Sequence, residues 1–228
     1  MVYNCPKVLM KKILFILFIS FSINCNSQEK NFPKNSDGDY EFSEVVESDY
    51  SKSTLYSNAI SWAMKLYGNY KDVVQYESNE EGRLVIKGFG GHGCYKPKDK
   101  GKIERVNEEF SYTISIDCKD NKYRYVVNDI EINEVEFKSN GFYAGPWKKK
   151  VTHENHIEEI NTLTMKIDSI NSLIQNTKKA SALRKMESEK MDAEGNIKFH
   201  NEMYEQEYLF FENLINNLKS KMAVNTNF

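Results

Sequence analysis

Apolar residues recur along this chain at two different spacings, and the spacings divide it. Phe110, Tyr112, Ile114, Ile116 and Cys118 alternate with Ser111, Thr113, Ser115 and Asp117. That period of two gives a strand one buried and one wet face. YEFSEVVES (40–48), DVVQYES (72–78), RLVIKGF (83–89) and KYRYVVNDIEINEV (122–135) read as further strands, with NEEG as the hairpin turn between the second and third. In the last of them the apolar phase slips between Val126 and Val127, which predicts a bulge there. SKSTLYSNAISWAMKLYG (51–68) has the other period: Leu55, Ala59, Trp62 and Leu66 share one helical face, Ser51 is placed to cap the start, and Gly68 ends it. A strand, a helix and four more strands on short connections predict an α+β domain, a curved and mostly antiparallel sheet with the helix across one face.

Beyond residue 151 only the helical period remains. Ile160, Leu163, Ile167, Ile170 and Ile174 form one seam; Tyr204, Tyr208, Phe211, Ile215, Leu218 and Met222 form another. Gly195-Asn196 is the clearest break between them, so the expectation is a long helical hairpin whose first arm starts near Thr152 and runs toward Met191. The polar stretch KKASALRKMESEKMDAE (178–194) should be exposed or project from the body. Arms packed on the sheet and on each other would complete the domain. A seam left unpaired would instead serve self-association or an unidentified protein partner.

The N-terminus adds a location. Lys7, Lys11 and Lys12 precede an apolar run from Ile13 to Ile23, the pattern of a secretory signal peptide over residues 1–27. The run falls short of the about 20 residues that span a bilayer. Two processing routes fit: cleavage after Ser27, or lipidation of Cys25. The large Asn24 before Cys25 favours simple cleavage, so membrane attachment is expected only if Cys25 is lipidated. The chain is read as exported, to the periplasm or beyond. Removing residues 1–27 takes three of the 31 Lys and Arg and none of the 33 Asp and Glu, leaving 28 against 33, a formal charge of −5. Such a chain is a poor polyanion binder. The organisation that results is signal peptide 1–27, polar leader 28–39, α+β domain 40–137, aromatic and basic linker 138–151, and helical hairpin 152–228.

Candidate chemistry is sparse. GFGGHGC (88–94) spells G-x-G-x-x-G, but a dinucleotide loop needs a helix to follow, and YKPKDKGKIER follows instead. Gly88, Gly90, Gly91 and Gly93 are therefore read as a bend or turn at a strand end. His92 and Cys94 would share a face if the strand continued. Further metal ligands would have to come from Cys118, His153, His156 or His200, and Cys118 should lie about 30 Å from Cys94 along a paired strand, too far for a shared metal or for a disulfide. No metal, cofactor or catalytic residue is assigned: the Cys94 and His92 pair lacks a third group, and Asp129, Glu131, Glu134 and Glu136 read as the wet face of a strand end. In GFYAGPWKKK (141–150), Phe142, Tyr143 and Trp147 stand beside three lysines, a candidate contact surface whose simpler role is to cover a sheet edge.

EVVES (44–48), STLYSNAISWAMKLY (53–67), KDVVQYESNEEGRLVIKG (71–88) and YTISIDCKDNKYRYVVND (112–129) together resemble an exported bacterial domain family of unknown function with a TBP-like fold, named for the TATA-box-binding protein. The resemblance covers residues 40 to about 137 and implies that fold and an exported setting; it brings no catalytic residue. It does not imply DNA binding, which in that fold uses aromatic wedges and many cations on the concave sheet, where this chain has Ser111, Thr113, Ser115 and Asp117. The function expected is a non-enzymatic binding or structural module of the cell envelope. The alternative is a periplasmic ligand-binding protein using the wet sheet face or the Gly88–Cys94 loop.

Overall fold

The computed structural model describes residues 32–98, 102–137 and 146–224, with only the backbone at 136, 137 and 146–148. The elements run β1 (Phe42–Glu47), α1 (Lys52–Leu66), α2 (Tyr70–Val73), β2 (Val74–Ser78), β3 (Arg83–Lys98), β4 (Lys102–Lys119), β5 (Lys122–Phe137), β6 (Pro146–Val151), α3 (His153–Asn176) and α4 (Ala180–Met222). The strands form one antiparallel sheet in the order β1-β5-β4-β3-β2, and β6 also pairs with β5. The predicted α+β class, helix and C-terminal helical hairpin are all present. The linker supplies a sixth strand that the sequence did not suggest.

One face of the sheet is apolar because its long strands alternate buried and wet positions, with β5 changing phase at one bulge. Leu84 and Ile86 of β3, Phe110 to Cys118 at every second position of β4, and Tyr123, Tyr125 and Val127 of β5 are all buried. Two helices cover this face. Ser51 caps α1 by accepting the Thr54 amide at 3.3 Å. The helix buries Leu55, Ala59, Trp62 and Ala63, and the Trp62 indole donates to Asn217 Oδ1 of α4 at 2.9 Å. The C-terminal half of α4 buries Phe211, Leu214, Ile215, Leu218 and Met222 beside it. Its seam thus belongs to the sheet's own core. Phe32 of the leader joins this core against Phe42, His153 and Phe211, so the leader is not merely polar.

Three expectations are corrected. The stretch Gly88–Cys94 is not a turn: β3 runs straight through it, paired residue by residue with β4 from Arg83 opposite Asp117 to Lys98 opposite Lys102. Its glycines answer a packing need, since a Cβ at Gly88 would lie 2.3 Å from the Tyr112 ring and one at Gly90 2.1 Å from the Phe210 ring of α4. Helix and aromatic side chains come down flat onto bare backbone. The bulge falls at Asp129 and Ile130, opposite Tyr112 alone, and Asp129 adopts φ 50°. The helices break at Thr177–Lys179, while Gly195 lies inside α4, where a Cβ would sit 3.1 Å from Pro97 Cγ. An internal glycine costs about 1 kcal/mol, and here it admits the end of β3. The long N-terminal half of α4 accordingly turns back along α3, whose Leu163, Ile167 and Ile174 are half-buried and Ile170 buried.

The register sets Cys94 opposite Val106, twelve positions along β4 from Cys118, or roughly 40 Å at ~3.3 Å per residue. Cys118 is buried and Cys94 half-buried.

Gly90→Ala should lower stability by about 1–3 kcal/mol, the usual cost of overpacking, and Phe210→Ala in the same chain should recover part of it. Urea unfolding of the two single variants and the double variant measures both.

Candidate functional site

Two places gather polar chemistry, one on each face of the sheet. On the wet face, Ser111 and Thr113 of β4 and Lys87 of β3 line a groove of about 780 Å³. The leader turn, Lys34 to Tyr40, forms one wall, built by Asn35 Oδ1 accepting the amides of Asp37 and Asp39, each at 3.0 Å. The floor is the bulged stretch of β5. On β5's outer edge β1 pairs as far as Val127 and the pairing with β6 starts at Ile132, so among the described residues Asn128 to Glu131 have no strand beside them on that edge. Asn128 Oδ1 is buried and lacks a hydrogen-bond partner among the described residues.

Charges of both signs ring this groove. Glu154, in the first turn of α3, pairs with Lys34 and accepts the Tyr40 hydroxyl, and Lys150 lies 3.4 Å from Glu131. Burial alone would raise the Glu154 carboxyl, but the hydrogen bonds from Lys34 and Tyr40 prevail and hold it at about 2. These contacts fasten the leader over the start of α3.

Of the residues proposed from the sequence as a binding surface, Ser111 and Thr113 meet here, and Ser115 follows on the same half-exposed face. Phe142 and Tyr143 lie outside the described residues, as does Cys25. Trp147 is placed by its backbone in β6, opposite Glu136 of β5. Asp129 and Glu131 belong to the groove; Glu134 sits opposite Glu108.

The second place lies on the inner face, and the sequence reading missed it. All four histidines of the chain converge there. Glu108 occupies the buried phase of β4, between Val106 and Phe110, with 1% of its surface exposed. His92 stands opposite it on β3, its Nε2 3.6 Å from Glu108 Oε2. The first turn of α3 contributes His153 and His156, and α4 contributes His200, Tyr204 and Glu207, three positions on one helical face. His156 Nε2 is 3.1 Å from Glu108 Oε1 and 3.1 Å from Glu207 Oε1. Its Nδ1 is 2.9 Å from Nδ1 of His200. His153 Nδ1 contacts Glu207 Oε2, and its ring stacks on Tyr204 at 3.8 Å. Both ring nitrogens of His92, Glu108 Oε2 and His153 Nε2 are buried with no hydrogen-bond partner among the described residues.

The electrostatics follow from two carboxylates meeting away from water. Burial raises Glu108; Glu207, which burial would also raise, is held down by hydrogen bonds from His153 and His156. Burial would lower His156, but its bonds to both carboxylates lift it to about 9. Burial and the neighbouring His156 push His200 down to about 4. Cys94 shares the inner face with His92, as the sequence suggested, and burial raises its thiol. That is the wrong direction for a nucleophile. The signal for this cluster was present in the sequence: Glu108 extends the apolar alternation of β4, and Glu207 sits within the aromatic seam of α4.

A six-stranded antiparallel sheet carrying helices on one face defines the class of this protein as α+β. Residues 42–133 match the family model described as a domain of unknown function (DUF4468) with TBP-like fold. Among solved structures, a TBP-like protein from Parabacteroides distasonis is similar at 16% identity, covering 83% of this chain and 96% of its own, with a TM-score of 0.39. A DUF4468 family protein from Bacteroides ovatus is similar at 15% identity, covering 86% of this chain and 93% of its own, with a TM-score of 0.38. No curated protein matches the sequence.

Because the Glu154 carboxyl is depressed from its ordinary 4.5 to about 2, its contribution should be full above pH 4.5 and fade as pH falls toward 2. The difference in urea midpoint between the natural chain and Glu154→Gln, followed against pH, should be constant above pH 4.5, shrink as pH falls below it, and be lost near pH 2.

Proposed function

We propose that the chain is an exported, non-enzymatic binding module of the bacterial cell envelope, and that the groove on its wet sheet face receives an extended, polar segment of a partner protein. The observation that carries this reading is the floor of the groove. Among the described residues, four residues of β5, Asn128 to Glu131, have an outer edge without a neighbouring strand, beside a bulge and an unpartnered Asn128 side-chain carbonyl. Strand edges recognise extended chains by main-chain hydrogen bonds, and bulges re-aim side chains where sheets bind.

The lining favours a ligand that carries both charges. Lys34, Lys87 and Lys150 alternate with Asp39, Asp129, Glu131 and Glu154, with hydroxyls of Ser111, Thr113 and Tyr40 between them. Such a mixture suits a zwitterionic peptide segment and disfavours a polyanion. Export rests on the Lys7 to Ile23 pattern, with simple cleavage after Ser27 preferred to lipidation of Cys25. Among the described residues no helix is long and apolar enough to cross a membrane. A raised Cys94 thiol and a wide, open groove support a binding rather than a catalytic role.

Photo-crosslinking residues placed at Lys87 and Thr113, and for comparison at Met165 and Leu173 on the exposed side of α3, test the surface in intact cells. Positions 87 and 113 should give one adduct of the same added mass, and 165 and 173 none. Adducts from the helical positions alone would move the partner to the hairpin. Mass analysis of the mature N-terminus should begin at Gln28; a full-length chain in the cytoplasmic fraction would overturn the envelope assignment.

A further inference from the structure

We infer that Glu108, His156 and Glu207, completed by His92, form a closed binding site for a first-row divalent transition metal, zinc by preference, which clasps the C-terminal helices to the sheet. The donor atoms of the first three lie within 4.8 Å of one another and all three residues are buried. His156 Nε2 stands 3.1 Å from an oxygen of each glutamate. Ligands bound to zinc at about 2.0–2.1 Å in a tetrahedron are separated by roughly 3.3 Å, so the side chains already hold metal-ligand spacing. His92 stands beside these three as the candidate for the fourth corner, its Nε2 3.6 Å from the other oxygen of Glu108, Oε2. That oxygen and both His92 nitrogens are buried and unpartnered among the described residues. An ion would answer that oxygen and one of the two His92 nitrogens.

The surrounding histidines do what outer partners of a metal site do. A metal takes the lone pair of one imidazole nitrogen, and the other nitrogen then carries the proton and must donate it. Nδ1 of His156 has an acceptor in place at 2.9 Å, Nδ1 of His200. With its own proton on Nε2, His200 selects the tautomer of His156 that leaves Nε2 free. His153, fixed by stacking on Tyr204, holds the second oxygen of Glu207 through Nδ1 and so orients the first. His200 and His153 are positioning residues.

The choice of metal follows from the donors. Imidazole nitrogen with carboxylate oxygen suits zinc and its first-row neighbours, whereas calcium and magnesium take oxygen shells and keep water. Two carboxylates neutralise a divalent charge. Four protein ligands from β3, β4, α3 and α4 leave no open corner, as in structural rather than catalytic zinc sites.

The test uses the untagged chain, stripped with EDTA and titrated with Zn²⁺ or Co²⁺. The expected result is one equivalent bound, a rise in thermal midpoint, and the intense visible absorption of tetrahedral Co²⁺. Glu108→Gln and His156→Gln should each abolish binding. His92→Gln should replace the tetrahedral spectrum by a pale one with water in the open corner, and His200→Gln should weaken affinity about 10–100-fold while keeping the spectrum. The last two variants, judged folded by circular dichroism, keep the test decisive if Glu108→Gln does not fold. An unchanged midpoint with no Co²⁺ band, or the same affinity in all variants, would overturn the site and leave a proton-sharing network.

Discussion

A carboxylate at a core position of a strand has to be answered from somewhere, and Glu108 is answered from the other end of the chain. It continues the phase of Val106, Phe110 and Tyr112, so the register of β4 carries it inward with them. The side chains hydrogen-bonded to it, His156 and Glu207, come from α3 and α4. Removing one member of a buried charged pair typically costs about 3–5 kcal/mol, because the other is left uncompensated. The helices are therefore tied to the sheet through chemistry as well as apolar area.

This divides the longest element into two parts with different roles. From Met203 to Met222, α4 lies over β3 beside α1 and contributes Phe211, Leu218 and Met222 to the main core. Its N-terminal part turns back along α3 and leaves Met165, Leu173 and Met191 exposed. The histidine and glutamate cluster stands where the sheet-bound part begins. One face of the sheet is thus fully committed to internal packing. The opposite face keeps its polar alternation and carries the groove between the leader turn and the bulged stretch of β5.

Much of the sheet was legible because each long strand buries one face only, so alternation in β4 reports orientation directly. Ser51 and the Trp62 face fixed α1 for the same kind of reason. The glycine run misled because glycine signals both turns and close approaches, and the ring that approaches Gly90 belongs to Phe210, 120 positions later. The helix break at Thr177–Lys179 carries no glycine or proline to announce it. The groove was half visible, since Ser111 and Thr113 stood out, while its leader wall depends on Tyr40 and Lys34 reaching Glu154. The buried cluster needed four separate elements to meet, and only the misplaced acids Glu108 and Glu207 hinted at it.

Native-state hydrogen exchange tests this division most directly. Amides from Met203 to Met222 should exchange only with global unfolding, at the same free energy as those of β4, while amides of α3 beyond its first turns and of 180–194 exchange through smaller openings. Exchange of the whole of α4 together with α3, well below the protection of the sheet, would show that the C-terminal helices are an appendage and contradict the account.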